Sequence, residues 1–180
     1  MSGPYPEWFY FPAWTSPPDW VAPLVGVIAA ARASIDSGTV TGLTSDKVLA
    51  SLRPSLQKLG YEIETGHTHG GKIRRPVLFG PQGRARVEYQ VDGWHPDNRA
   101  LLEVEAGRSA RGNAVYRDLI RTSLIADADY FVLGVMRNYK YGATREVNVE
   151  SYKDSVSTIA AIYESRRLVL PFRGVLLFGY

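Results

Sequence analysis

The chain has 180 residues and no cysteine, and 21 Lys and Arg against 18 Asp and Glu give a net charge of +3. This length predicts one domain with a sizeable core, and the lack of cysteine excludes disulfides and thiolate chemistry, which fits a reducing cytoplasm. No apolar stretch approaches the ~18 residues of a membrane span, so we expect no membrane partner.

The first twenty residues are rich in proline and aromatic side chains and lack the basic-then-apolar order of a signal peptide. This segment is too apolar for a free tail, so we expect it to pack on its own domain; a dimer-forming arm is the alternative. Ser16-Pro17 is a suitable helix start, and the apolar pattern that follows predicts a helix from Val21 to Ile35, ending at Gly38.

A second helix is predicted over residues 45–59, with Gly60 as its stop. Pro54 is expected to kink this helix or split it in two. Residues 61–64 then alternate as a strand. The apolar face of the helix consists of Val48, Leu49, Leu52, Leu56 and Leu59.

The segment from Gly66 to Lys72 superficially matches a phosphate-binding loop. The match fails because Ile73 replaces the metal-binding Ser or Thr, and Arg74-Arg75-Pro76 argues against the helix that must follow. We interpret the segment as a mobile, basic, glycine-rich loop.

Two histidines of this loop, His67 and His69, could bind a transition metal together with His95. Zinc sites usually need three or four well-placed ligands, and no cysteine is available to complete the set. The histidines are therefore an alternative to the site described next.

Two apolar runs alternate with period two, as strands with one apolar face do. The first is residues 87–92 and ends at Asp92; the second, residues 101–107, contains Glu103 and Glu105 on the side opposite Leu102 and Val104. Residues 96–98, Pro-Asp-Asn, form a turn signal between the runs.

A hairpin centred between Asp97 and Asn98 places Asp92 opposite Glu103 and Gln90 opposite Glu105. Opposed residues have Cβ atoms roughly 4.5–5.5 Å apart, and carboxylates at that distance raise one another's pKa unless a cation lies between them. Mg²⁺ suits such oxygen ligands. The alternatives are a solvated polar face on an ordinary hairpin, or a one-residue register shift that separates the acids.

Basic residues surround the two runs, as expected of a nucleic-acid enzyme, although ordinary surface charge is the alternative. These basic residues lie in three segments: Lys72, Arg74 and Arg75 in one loop, Arg84 and Arg86 before the strand that ends at Asp92, and Arg108 and Arg111 after Glu105.

An amphipathic helix is predicted over residues 113–126. At its start, Asn113 could orient phosphate or water, or cap the helix, and Asp118 is interpreted as a partner for Arg117 or Arg121. The side chains expected to point inward are Val115, Leu119, Ile120, Ser123 and Leu124. A buried central strand over residues 130–135, a helix near 152–163 and a final strand at 174–178 follow.

At its carboxylates the chain resembles the PD-(D/E)xK nuclease superfamily, to which many type II restriction endonucleases belong. Asp92 matches the first acid and Glu103 the second, with Val104 as spacer, while Val91 replaces the usual proline. Glu105 stands where lysine is usual, although some restriction enzymes of the superfamily carry Glu-x-Glu there.

The resemblance implies an α/β fold with a restriction-endonuclease-like αβββαβ core, a central mixed sheet flanked by helices. It covers residues 45–136, within a single domain spanning residues 1–180. Residues 1–44 would form an N-terminal aromatic arm and helical extension, and residues 137–180 a C-terminal helix and strand.

The implied function is a metal-dependent DNA endonuclease, with Asp92 and Glu103 holding Mg²⁺ or Mn²⁺ and Glu105 as a further ligand or a base for water. The residues expected to contact nucleic acid are Lys72, Arg74, Arg75, Arg108, Arg111 and Asn113. A palindromic target would favour a homodimer. The alternatives are a nucleic-acid-binding module without cleavage and a protein-interaction domain built around the aromatic arm.

Overall fold

A six-stranded mixed sheet with helices on both faces organises the computed structural model, which describes residues 4–66, 69–107, 113–141 and 147–180. The helices are α1 (Val21–Ala30), α2 (Arg32–Ile35), α3 (Ser45–Lys58), α4 (Ala114–Ser123) and α5 (Ser151–Ser165). The strands are β1 (Glu7–Phe11), β2 (Glu62–Ile63), β3 (Ile73–Phe79), β4 (Ala85–Val91), β5 (Gly93–His95), β6 (Ala100–Glu105), β7 (Tyr130–Val135), β8 (Tyr139–Tyr141), β9 (Val147–Val149) and β10 (Gly174–Gly179).

The strand order in the main sheet is β1-β10-β7-β6-β5-β2. Strands β6, β7 and β10 are parallel to one another. Strand β1 runs antiparallel to β10, β5 runs antiparallel to β6, and β2 runs antiparallel to β5. Strands β3 and β4 form a separate two-stranded sheet, as do β8 and β9. The coarse α/β prediction, a mixed sheet flanked by helices, is confirmed.

Side-chain alternation along β6 divides the core between the two faces of the sheet. Leu102 and Val104 pack with α1 and α3 on one face. Leu101 packs with Val115 and Leu119 of α4 on the other. Glu103 and Glu105 have the same parity as Leu101, so their side chains belong to the α4 face.

The predicted helix over residues 45–59 is confirmed as α3. The Thr44 hydroxyl accepts a hydrogen bond from the Lys47 N–H at 3.3 Å, and Gly60 follows the helix with φ +96°. This left-handed conformation is the usual helix stop. Pro54 lies inside the helix without splitting it. The helix predicted over residues 21–35 is interrupted at Ala31 into α1 and α2.

The phase predicted for α4 is partly wrong. Val115 and Leu119 are buried as expected, but Ile120 and Leu124 are 46% and 48% exposed. The inward positions are instead taken by two polar residues, Asp118 and Thr122.

The placement of Arg74 and Arg75 in a loop is also wrong, because both belong to β3. The predicted strand over residues 87–92 is confirmed as part of β4, but it pairs with β3, and the strand that pairs with β6 is β5, which begins after Asp92. The central strand, the helix near residue 152 and the last strand are confirmed as β7, α5 and β10.

The aromatic N-terminal segment packs on its own domain, as expected, through pairing of β1 with β10. Trp8 and Phe9 remain 41% and 37% exposed at this edge of the sheet. The dimer-forming arm stays a prediction. Within the described residues, no helix has the length and apolar character needed to cross a membrane.

Candidate functional site

The hairpin centre predicted between Asp97 and Asn98 is confirmed, although the paired residues are 93–95 and 100–102 and the run before Asp92 pairs with β3 instead. Gly93 pairs with Leu102 and Trp94 with Leu101, so the same register carries Asp92 to the position beside Glu103. The Val104 N–H donates a hydrogen bond of 2.8 Å to Asp92 Oδ2. This bond holds the Asp92 carboxylate at the peptide that separates the other two acids.

The register does not extend to Gln90 and Glu105 as predicted. Gln90 pairs with Arg74 of β3, because the chain leaves the main sheet at Asp92. Glu105 instead meets Arg117 of α4, with which it forms an ion pair. The Tyr180 hydroxyl donates a 2.9 Å hydrogen bond to the Glu105 carbonyl, which anchors the end of β6.

Two further carboxylates, missed from the sequence, join the group. Asp118 is 1% exposed on the sheet-facing side of α4, where it accepts a 2.9 Å hydrogen bond from Arg117 Nε. This confirms Arg117 as its partner. Glu64, 5% exposed after β2, accepts a 2.7 Å bond from Lys72 Nζ, and its N–H bonds to the Asp92 carbonyl at 3.0 Å.

Burial is the main cause of the raised pKa of Asp92, which is about 6, and the negative charges of Glu64 and Asp118 add to it. The Val104 N–H and the Lys72 ammonium act in the opposite direction. The charged form of Asp92 is therefore disfavoured mainly by burial and further by two carboxylates, which Lys72 offsets only in part.

The same causes act on the two acids of β6. Burial, followed by the charges of Asp92 and Asp118, holds the pKa of Glu103 well above its usual range. Burial and the charge of Asp118 raise the pKa of Glu105 to about 7, against the lowering effect of Arg117. These acids sense one another's charge, as the predicted cluster requires.

Three cations lie among these acids. Lys72 bonds Glu64 and lowers the pKa of Asp92, so it lies beside the carboxylates, and its contact with phosphate stays a prediction. Arg117 bridges Asp118 and Glu105. Arg121 lowers the pKa of Glu103.

The remaining residues predicted to contact nucleic acid lie in different surroundings. Arg75 pairs with Asp127 and stacks 4.2 Å from the centre of the Trp94 ring, so its guanidinium serves packing. Arg74 is exposed on β3. Asn113 is exposed before α4 with φ 60°, and its side chain makes no capping hydrogen bond. Arg108 and Arg111 lie outside the described residues.

The transition-metal alternative fails at its third ligand. His95 is buried, its Nε2 lies 2.8 Å from the Leu59 carbonyl, and its Nδ1 accepts from the Asn98 N–H at 3.3 Å. Both ring nitrogens are therefore used to fix the end of α3 and the hairpin turn. His67 and the side chain of His69 lie outside the described residues. Because Ile73 begins a strand, the phosphate-loop interpretation also lacks its helix.

The donor set suits a hard divalent cation. Among the residues that the structure describes, no group of three or more His, Cys, Asp or Glu forms a ready-made metal cage. Mg²⁺, however, is usually held by one or two carboxylates together with waters and substrate phosphates. Burial is the main cause of the raised pKa values of Asp92 and Glu103, and the neighbouring carboxylates add a repulsion that a cation would relieve.

Comparisons with protein-family models, with curated proteins and with solved structures found no match to this chain. Because a fold hosts many functions, functional interpretation of this chain depends on the chemistry of the site.

Sequence reasoning could have found Asp118 more readily than Glu64. Asp118 lies three residues after Val115 and directly before Leu119, within the buried stripe of an amphipathic helix, and a carboxylate there needs partners. Glu64 follows a two-residue strand and carries no comparable signal.

Proposed function

We propose that this protein is a metal-dependent endonuclease that hydrolyses DNA phosphodiester bonds, of the type II restriction kind. The observation that carries the proposal is the meeting of Asp92 with Glu103 across the hairpin, with Glu105 two residues farther along β6. Burial raises the pKa of all three carboxyls, and the charges of neighbouring carboxylates, Asp118 among them in each case, raise it further. Acids with strongly perturbed pKa values, grouped on neighbouring segments, are typical of catalytic sites.

The order of elements supports the same proposal. The sequence α3, β2, β5, β6, α4, β7 follows the helix, three strands, helix and strand of the PD-(D/E)xK superfamily core. The hairpin β3–β4 is inserted between the first two of those strands. In this arrangement the first acid precedes β5 and the second lies on β6, as the superfamily pattern requires.

The surroundings of each carboxylate favour a different role in the proposed reaction. Asp92 and Glu103 would hold Mg²⁺ or Mn²⁺, which when bound lowers the pKa of a coordinated water and neutralises charge on the scissile phosphate. Glu105 is the more exposed acid, and its pKa of about 7 suits a base that takes a proton from water near neutral pH. Arg117 holds the Glu105 carboxylate in place.

A second candidate is a nucleic-acid-binding module that keeps the nuclease fold without cleavage. The ion pair between Arg117 and Glu105 favours it, because Glu105 stands at the lysine position of the motif and its carboxylate is already engaged by a cation of the protein. Homodimerisation is part of either proposal, since a palindromic target asks for two-fold symmetry.

The test compares supercoiled plasmid incubated with Mg²⁺, with Mn²⁺ or with EDTA. Asp92→Asn and Glu103→Gln remove charge with little change in shape, and Asp97→Asn and Glu62→Gln are matched controls at exposed positions of the same hairpin and sheet. Cutting by the wild type and both controls, and by neither site variant, supports the endonuclease. Cutting that survives at both site variants contradicts the assigned site.

Binding of DNA without cutting under any metal condition supports the second candidate instead. Salt-sensitive binding is expected in either case, because phosphate contacts release counterions. A wild-type protein that neither binds nor cuts DNA at low salt would overturn both candidates.

A further inference from the structure

The hairpin β3–β4 forms a ribbon separate from the main sheet. Its two strands, Ile73–Phe79 and Ala85–Val91, pair from Ile73 with Val91 to Phe79 with Ala85. Seven residues at ~3.3 Å per residue give the ribbon a length of about 23 Å. The Gly80 N–H bonds to the Arg84 carbonyl at 2.8 Å and closes its tip.

The inner face of the ribbon is anchored to the domain near its base. Ile73, Val77 and Tyr89 pack against the core on the α4 side of the sheet. Ala126, which follows α4, donates a 3.0 Å hydrogen bond from its N–H to the Pro76 carbonyl of β3. The base is therefore a fixed part of the domain.

The outer face and the tip are open to solvent. Alternation along the paired strands places Arg74, Arg86, Glu88 and Gln90 on the face opposite Tyr89, and all four are exposed. At the tip, Leu78 and Phe79 are 56% and 57% exposed, and Arg84 is exposed as well. The outer half of the ribbon carries arginines at 84 and 86 and no acidic residue between 78 and 87.

We propose that this ribbon enters the major groove of duplex DNA and reads base edges with its outer face; this inference rests on the proposed nuclease function. The major groove admits a two-stranded ribbon. Arginine pairs with guanine, glutamine with adenine, and glutamate accepts from cytosine, so Arg86, Glu88 and Gln90 supply three kinds of base contact. Arg84 at the tip is placed for a phosphate.

The ribbon is joined to the carboxylate site at both of its strands. Lys72 precedes β3, and Asp92 follows β4 directly. A duplex held by the ribbon is therefore positioned relative to Asp92 with no hinge between them. At about 3.4 Å per base pair, the ribbon spans about seven base pairs, so cleavage falls within that distance of the bases read.

The test separates affinity from sequence choice. Arg84→Ser combined with Arg86→Ser removes tip charge, and Arg166→Asn combined with Arg167→Ser is the matched control, two exposed arginines after α5. Binding of a fluorescein-labelled duplex of mixed sequence is followed by anisotropy over a range of salt, without metal. We expect the ribbon pair to lose about tenfold in affinity and to reduce the salt slope by about 1 to 2.

Base reading is tested with Glu88→Ala and Gln90→Ala. These variants are expected to change which sites of a randomised plasmid library are cut in Mg²⁺, while the salt slope stays at the wild-type value. Thermal unfolding of each variant checks that the fold is retained.

The outcomes are distinct. If the ribbon variants bind and select sites as the wild type does, the ribbon is not the reading element, and the nuclease function stands. If the wild type and the arginine control neither bind nor cut DNA, the proposed function fails, and the ribbon inference fails with it.

Discussion

Replacing Asp92 with asparagine should stabilise the metal-free protein while abolishing cleavage. The asparagine carbonyl oxygen can accept the same hydrogen bond from the Val104 N–H that Asp92 Oδ2 accepts at 2.8 Å. The substitution removes a charge that burial, Glu64 and Asp118 all disfavour. The protein thus keeps the contact and loses the repulsion.

The magnitude follows from the pKa of Asp92, which rises from 3.8 to about 6 on folding. An acid with a raised pKa binds its proton more tightly when folded, so stability falls as pH rises from about 4 through about 6. At about 1.4 kcal/mol per pKa unit, ionised Asp92 costs up to about 3 kcal/mol at neutral pH. We expect Asp92→Asn to raise the free energy of unfolding by about 1 to 3 kcal/mol at pH near 8 and by almost nothing near pH 4.

Urea denaturation in EDTA measures these free energies of unfolding at both pH values. The proteins compared are the wild type, Asp92→Asn and the exposed control Asp97→Asn. Added Mg²⁺ should reduce the difference in the free energy of unfolding between Asp92→Asn and wild type at the higher pH. A ligand at about 100 times its Kd adds about 2.7 kcal/mol to the free energy of unfolding of the protein that binds it. An Asp92→Asn protein less stable than wild type at the higher pH, with Asp97→Asn unchanged, would refute the electrostatic reasoning.

Three further predictions concern the neighbours of the site. Arg117→Ala removes the cation paired with Glu105, so calorimetry should show Mg²⁺ binding to the free protein tightened several-fold, and weaker binding would contradict this. Arg75→Ala removes the contacts with Asp127 and Trp94; it should lower the free energy of unfolding by about 1 to 3 kcal/mol and leave the salt slope of DNA binding unchanged. Leu101→Ala creates a cavity at a fully buried position of β6 and should cost about 2 to 5 kcal/mol in denaturant unfolding, whereas a cost below this range would mean that the core refills.

The sequence predicted the carboxylate hairpin because its determinants are local. A short turn at residues 96–98 and the alternation of apolar and acidic residues over 102–105 determine which side chains face each other, and neither depends on distant contacts. The buried strand β7 is predictable for the same reason, since an unbroken apolar run of its length needs cover on both faces.

The ribbon and the phase of α4 could not be predicted in this way. Arg74, Arg75 and Pro76 interrupt the apolar pattern of β3, so its strand character comes from pairing with β4. In α4, Asp118 is buried and paired with Arg117, whereas Ile120 is exposed. Such compensation between a buried charge and its partners depends on the tertiary structure.

Asp92 is the point at which the chain passes from the ribbon to the main sheet, and this explains why the first acid lies where it does. Gly93 permits the passage, because a Cβ there would lie 2.8 Å from Ile63 Cδ1 and 3.2 Å from Leu102 Cβ. Before Asp92, the outward-facing side chains Arg86, Glu88 and Gln90 of β4 are exposed, whereas the residues of β5 after it pair with β6. A carboxylate at this junction joins the acids of β6 to the exposed ribbon, so the proposed recognition and the proposed chemistry belong to segments that follow each other directly in the chain.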